Sequence, residues 1–225
     1  MEFSPLIDGL SATIVVGGTA LATVLRAGPR ELVVTGRAVA ELFRAPFTAE
    51  QARADLAGQV SAIRREGVLR VNLKATGDRA FDEATDLMIR SRSLDPLIER
   101  HNACRRQRMS EGNAAVRTLA QAAELGPVFG MVGTLVSLSS LPAKGLDAGA
   151  LNGAISMAVV TTLYGLLLAN LLLAPLARLI ERRAQAEDRA RAEVVAWLAA
   201  QLESEMPPRV QPLRPQAVPR ERHHA

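Results

Sequence analysis

Charged residues vanish from three stretches of the chain: Gly9–Leu25 (17 residues), Leu125–Ala143 (19 residues) and Ala148–Ala177 (30 residues). A helix crossing a bilayer needs about 20 mostly apolar residues. The third stretch is ample, the second is close to that length, and the first is marginal. Three buried helices of a soluble bundle would be the alternative, but the third stretch is too long and too uniformly apolar for that. The first stretch reads as a retained span rather than a signal peptide, because Met1–Asp8 contains Glu2 and Asp8 and no basic residue.

Between the apolar stretches the pattern stays helical. ELVVTGRAVAELFR (31–44) places apolar residues at helical spacing, and Pro46 ends it. Thr48 with Gln51 forms a capping-box pattern that opens a helix running to Gly67. A further helix is expected over Arg79–Arg92, and another from near Ser93 through Glu124 into the second span. After Ala177 a charged helix continues the third span. From Pro207 onward the chain holds five prolines and no hydrophobic pattern, which marks a disordered tail.

No useful length of strand alternation occurs, so the expected fold class is all-α. It is a helical integral membrane protein with three transmembrane helices, a helical cytoplasmic region and long helices extending into the cytoplasm. The expected organisation is a first span over 1–26, a cytoplasmic helical region over 27–124 and a membrane helix pair with a short periplasmic loop over 125–178. A cytoplasmic helix over 179–206 and the tail over 207–225 complete it.

Charge placement orients the spans. Of 27 Lys and Arg residues, 16 lie in Ala27–Glu124 and nine in Arg178–Ala225, while Lys144 alone sits in the connection between the second and third spans. Basic residues collect on the cytoplasmic side. The N-terminus is therefore expected outside, and the C-terminus in the cytoplasm. Topology accounts for most of the positive charge, and without interleaved aromatics it gives no sign of nucleic-acid binding. Aromatic residues make up only 3% of the chain, so Ala, Leu and Val supply its apolar bulk.

Small residues recur in the spans at helical spacing. Gly126, Gly130, Gly133, Ser137 and Ser140 fall on one face of the second span, and Ala158, Thr162, Gly165 and Ala169 repeat the device in the third. The first span offers Gly9, Thr13, Gly17 and Ala20. Small faces let helices approach closely in lipid, so a tightly packed bundle and an oligomer are expected. Hydroxyls in membrane helices commonly bond back to their own helix. Thr134, Thr161 and Thr162 lie at similar depth, however, and on a shared cavity they would hold water and pass a proton or small cation.

None of the three stretches contains a carboxylate, histidine or lysine. Proton and ion pathways normally use a titratable group within the membrane, so if this chain helps conduct protons, that group belongs to another subunit. Elsewhere, His101 and Cys104 stand three apart, and His223 and His224 lie in the tail. Two ligands make no zinc site. With no nucleophile–base pair, phosphate loop or metal set, neither an enzyme nor a bound cofactor is expected.

Gly126-Pro127-Val-Phe-Gly-Met-Val-Gly-Thr134 resembles the opening of the penultimate membrane helix of the MotA/TolQ/ExbB proton-channel family. Met157-Ala-Val-Val-Thr-Thr-Leu-Tyr-Gly165, with Ala169-Asn170 and Pro175, resembles that family's last membrane helix. IVVGGTALATVL (14–25) and IRREGVLRVNL (63–73) resemble the flagellar stator branch. The resemblance implies an inner-membrane ring of five such subunits around two copies of a single-span MotB/TolR/ExbD-like partner, which carries a membrane-embedded aspartate. It implies that Thr134 and Thr162 line the ion path or face the partner, and that Pro127 and Pro175 serve coupling. This chain differs from the stator branch in having three spans rather than four, Met157 where TolQ and ExbB relatives often carry glutamate, and Ser137 where glycine is usual.

The leading functional reading is thus a membrane subunit that couples proton motive force to mechanical work. A membrane scaffold of the same fold without ion coupling and a small-molecule transporter subunit are the alternatives. Which process is driven, flagellar rotation or outer-membrane energisation, stays open at this point.

Overall fold

The computed structural model describes residues 8–66, 93–141 and 148–202, together with Glu83, Asp86, Arg90 and Ser91. Expectations for the Arg79–Arg92 helix, the 142–147 loop and the 207–225 tail fall wholly or largely outside those residues. The described residues form helices, with no strand among them.

Helix α1 is Gly9–Arg26, α2 Pro29–Glu41, α3 Ala49–Glu66, α4 Asp95–Ser139 and α5 Ala148–Leu202. Helices α1, α4 and α5 are long and apolar enough to cross a membrane. Two of them contain a π-helical turn, at Thr13–Gly17 in α1 and at Leu168–Leu173 in α5. Asp8 caps α1 by accepting from the Leu10 and Ser11 amides at 3.2 and 3.1 Å and from the Ser11 hydroxyl. The hydroxyl bond, helped by the two amides, holds the Asp8 carboxyl below the ordinary carboxylate range. Gly28 and Pro29 break α1 from α2, with Pro29 in the first turn where its missing N–H costs nothing.

The chain divides into two compact units. The first comprises the described parts of Met1–Ala49 and Ala103–Ala192. Outside its apolar spans it is held by a core of Ala115, Leu119, Ala177 and Ile180, against which Ala38, Val39 and Leu42 of the α2 region pack. Gly112 lets α4 come within van der Waals reach of Ala184 on α5. Arg105 closes the same pair with a forked bond to Asp188 at 2.9 and 3.1 Å.

Arg183 explains how α2 ends. Its guanidinium donates to the carbonyls of Leu42 at 2.9 Å and Arg44 at 2.8 Å, groups left open where the helix gives way to tighter turns over Leu42–Arg44. Glu187 holds Arg183 in place at 3.0 Å and also pairs with Arg191 at 3.1 Å. The Arg191 guanidinium in turn lies 4.6 Å from the centre of the Phe47 ring.

The second unit comprises the described parts of Glu50–Asn102 and Glu193–Ala225. It buries Leu56, Leu97, Val194, Leu198 and Leu202. Arg53 reaches both the carbonyl and the carboxylate of Glu193, and Arg100 pairs with Glu83 at 2.7 Å.

Replacing Arg183 with methionine keeps the aliphatic stem and strands two carbonyls. The expected cost is about 1.5–3 kcal/mol, the usual worth of hydrogen bonds to a charged group, read as a lower unfolding midpoint of the detergent-solubilised protein. An unchanged midpoint would show that the clamp contributes nothing.

Candidate functional site

The glycine face of α4 meets α5 along a seam in which main chain touches main chain. A methyl group on Gly126 would lie 2.8 Å from the Gly165 carbonyl oxygen and 3.3 Å from the Ala169 side chain. On Gly130 it would lie 3.1 Å from the Thr161 carbonyl, and on Gly133 2.7 Å from the Thr161 side chain. The reverse clash is as severe, since a methyl on Gly165 would meet the Gly126 carbonyl at 2.5 Å. Ser137 extends the seam, fully buried, with its hydroxyl bonded to the Thr134 carbonyl at 2.8 Å. At Gly126, Gly133 and Gly165 even a methyl group forces the facing helix to shift, and at Gly130 the neighbour must yield by a few tenths of an ångström.

The three threonines separate on this seam. Thr161 is fully buried against Gly133, and its hydroxyl donates to the carbonyls of Met157 and Ala158. It belongs to the helix contact. Thr134 and Thr162 keep partial exposure at the protomer surface. Their hydroxyls donate to Met131 at 2.6 Å and to Ala158 at 3.0 Å. A hydroxyl has one proton and two lone pairs. With the protons committed to their own helices, these two groups present only acceptors. Such a wall takes a cation, a donor water or a protonated acid, and offers no donor to an ionised carboxylate.

The two prolines also differ in setting. Pro127 lies inside α4, which continues as one α-helix on both sides. Pro175 lies two residues past the end of the π-helical turn Leu168–Leu173. Helix α1 turns inward a different face from the small-residue one: Ser11, Val15 and Thr19 are buried, while Gly9, Thr13, Gly17 and Ala20 are exposed. Gly18 lies directly under the Phe129 ring of α4, leaving no room there for a side chain. The Thr19 hydroxyl is buried without a hydrogen-bond partner. Thr19 was not singled out from the sequence, and Asn170 entered only as part of the motif with Ala169 and Pro175, without a role of its own. The signal for Asn170 was an amide five residues before a proline in an apolar run.

Among the described residues no cluster of three or more His, Cys, Asp or Glu could hold a metal ion. Cys104 is half-buried and unpaired.

Residues 73–193 match the model of the MotA/TolQ/ExbB proton channel family. The chain belongs to that family. Motility protein A of Cereibacter sphaeroides is 26% identical over 180 residues, covering 79% of this chain and 71% of the relative. Chemotaxis protein PomA of Vibrio alginolyticus is 24% identical over 187 residues, covering 80% and 72%. The fold is that of the flagellar MotAB stator complex of Bacillus subtilis, with a TM-score of 0.79, 21% identity and coverage of 91% of this chain and 82% of that one. C. jejuni MotAB gives the same TM-score at 16% identity, covering 88% and 79%. As a MotA/TolQ/ExbB protein the chain is a channel-type membrane subunit, not an enzyme.

The seam sets a graded test. Gly165→Val and Gly133→Val introduce overpacking worth about 1–3 kcal/mol or more and should lower thermal stability and the yield of monodisperse protein. Gly153, with nothing within 4 Å of an added methyl, should accept alanine with little change. Equal tolerance at all three positions would contradict the seam.

Proposed function

We propose that this chain is a stator-type subunit that lines a proton path with hydroxyl acceptors and couples flow along it to mechanical work. The observation that carries the reading is a pairing of presence and absence. Thr134 and Thr162 lie beside the close α4–α5 contact, yet no carboxylate, histidine or lysine occurs in any of the three apolar stretches. A path of this kind needs a group that exchanges protons, and it comes from a second chain.

In this reading several copies, a homopentamer, surround a single-span partner whose membrane aspartate faces the α4–α5 wall. The protonated acid donates to an acceptor wall, while its ionised form finds no donor among the hydroxyls. That asymmetry lets one protonation state rest against the wall and drives the other away. Pro127 and Pro175 each remove a main-chain hydrogen bond from a membrane helix, which lets the wall bend. The complex resides in the bacterial inner membrane, with the N-terminus periplasmic and the C-terminus cytoplasmic. The relatives named for motility and the MotAB complexes of the same fold support flagellar torque as the output.

Affinity purification from the native membrane is expected to retain a single-span protein with a membrane aspartate, and native mass spectrometry to show a homopentamer of this chain. Monomers or dimers alone would contradict the ring. In vesicles holding both subunits, Thr162→Val is expected to cut proton flux severalfold with assembly intact, since it removes the outward acceptor and keeps the shape. Unchanged flux would remove Thr162 from the path.

A further inference from the structure

Helix α1 ends at Arg26, the first charged residue after its apolar stretch, and extended backbone at Ala27 and Gly28 separates it from α2. Helix α2 thus starts at the bilayer boundary. Its other end is pinned near the same boundary. Ala38, Val39 and Leu42 pack on the core that contains Ala177 and Ile180, and Arg183 holds the Leu42 and Arg44 carbonyls. Ala177 closes the third charge-free stretch, and Arg183 follows about 9 Å further along α5. The 13 residues of α2 measure about 20 Å. A helix of that length, held close to the boundary at both ends, leans towards the membrane plane and runs through the headgroup layer.

The inward side of α2 lies on the core. The opposite side carries Arg30, Arg37 and, just past the helix end, Arg44, spaced by seven residues and so in one row along the helix. All three are exposed, with Val33 (61%) inside the row and Phe43 (85%) at its end. A methyl group on Gly36 would meet nothing within 4 Å, so that flank is open too. Among the described residues none of the three guanidinium groups pairs with a carboxylate, although Glu31 and Glu41 are exposed on the same helix. On α4 and α5 the pattern is the reverse: Arg105, Arg183 and Arg191 each hold a carboxylate.

We propose that the outward side of α2 is a binding surface for anionic phospholipid, with Arg30, Arg37 and Arg44 on the headgroup phosphates and Val33 and Phe43 in the apolar part of the interface. A guanidinium meets phosphate oxygens with two parallel hydrogen bonds. A row of them at headgroup depth exchanges water for phosphate without burying an unpaired charge, and apolar side chains among them are stabilised by entering the interface. Each basic residue close to an anionic surface strengthens association about fivefold, so the row prefers anionic to zwitterionic lipid. The inference goes beyond the stator reading and requires only that α1, α4 and α5 span a bilayer.

The test uses the full chain with Cys104→Ser and a fluorophore on Ala40→Cys, an exposed position on the same side of α2, in phosphatidylcholine vesicles. Quenching is compared for phosphatidylglycerol and phosphatidylcholine carrying a nitroxide near the acyl carbonyl. Phosphatidylglycerol is expected to quench at the lower mole fraction. That preference should fall about fivefold for each of Arg30→Gln, Arg37→Gln and Arg44→Gln and approach unity in the triple variant. Lysine at all three positions keeps the charge and is expected to retain most of it. Raising the salt from about 0.1 to 1 M shortens the screening length from about 10 to 3 Å and should weaken the preference in the unaltered row, a readout that needs no arginine variant.

Equal quenching by the two lipids with the arginines intact overturns the proposal, and so does a preference that survives the triple glutamine variant or high salt. Quenching by neither lipid overturns it as well. In that case, loss of the native oligomer in the triple glutamine variant, read by mass spectrometry, assigns the row to a neighbouring copy of this chain. Proton flux plays no part in these readouts, so the stator reading stands or falls separately.

Discussion

Lipid surrounds every apolar side chain about as well as another protein surface does, so burying leucine cannot hold two membrane helices together. What holds α4 to α5 is the approach of main chain to main chain at Gly126, Gly130 and Gly165, with no room for a side chain at Gly126 or Gly165. Other features of the two spans follow from that contact. It buries Thr161 and Ser137, leaves Thr134 and Thr162 at the protomer surface, and anchors α5 above its wide turn. Below the membrane-facing part, the same two helices are fastened by different means, an aliphatic core and the Arg105–Asp188 pair.

The seam also determines what chemistry the spans offer. A close-packed pair of helices has little room for long polar side chains, and the hydroxyls that fit there give their protons to their own carbonyls. The outcome is a rigid surface of acceptors with no acid or base of its own. It is well suited to stand opposite a group that gains and loses a proton, and it cannot replace one. Under the proposed function, this packing favours a division of labour between wall and titrating group.

Much of this was legible in the residues. The three apolar stretches, the all-helical class and the family came from charge gaps, helical periodicity and the two motifs around Pro127 and Gly165. These signals survive because a bilayer imposes length and composition directly on sequence. The inward face of α1 was not legible: its Gly9–Thr13–Gly17–Ala20 stripe has the spacing of a contact face, yet Ser11, Val15 and Thr19 turn inward. Small residues permit close approach without compelling it, and the choice is made by what the neighbour presents, here the Phe129 ring over Gly18. The separation of Thr161 from Thr134 and Thr162 was equally hidden, because adjacent helical residues differ by about 100° in direction and only the partner helix decides which one is covered. The wide turn before Pro175 depends on main-chain register, which side-chain patterns do not encode.

The central claim, that this chain supplies the wall of a proton path and a second chain supplies the titrating group, is tested most directly by proton flux in sealed vesicles under an imposed potential. Vesicles holding this chain alone are predicted to be as tight as protein-free ones. Adding the co-purifying single-span subunit should open a flux that disappears when that subunit's membrane aspartate is changed to asparagine. Proton flux through this chain alone, at a rate matching the two-subunit vesicles, would contradict the account.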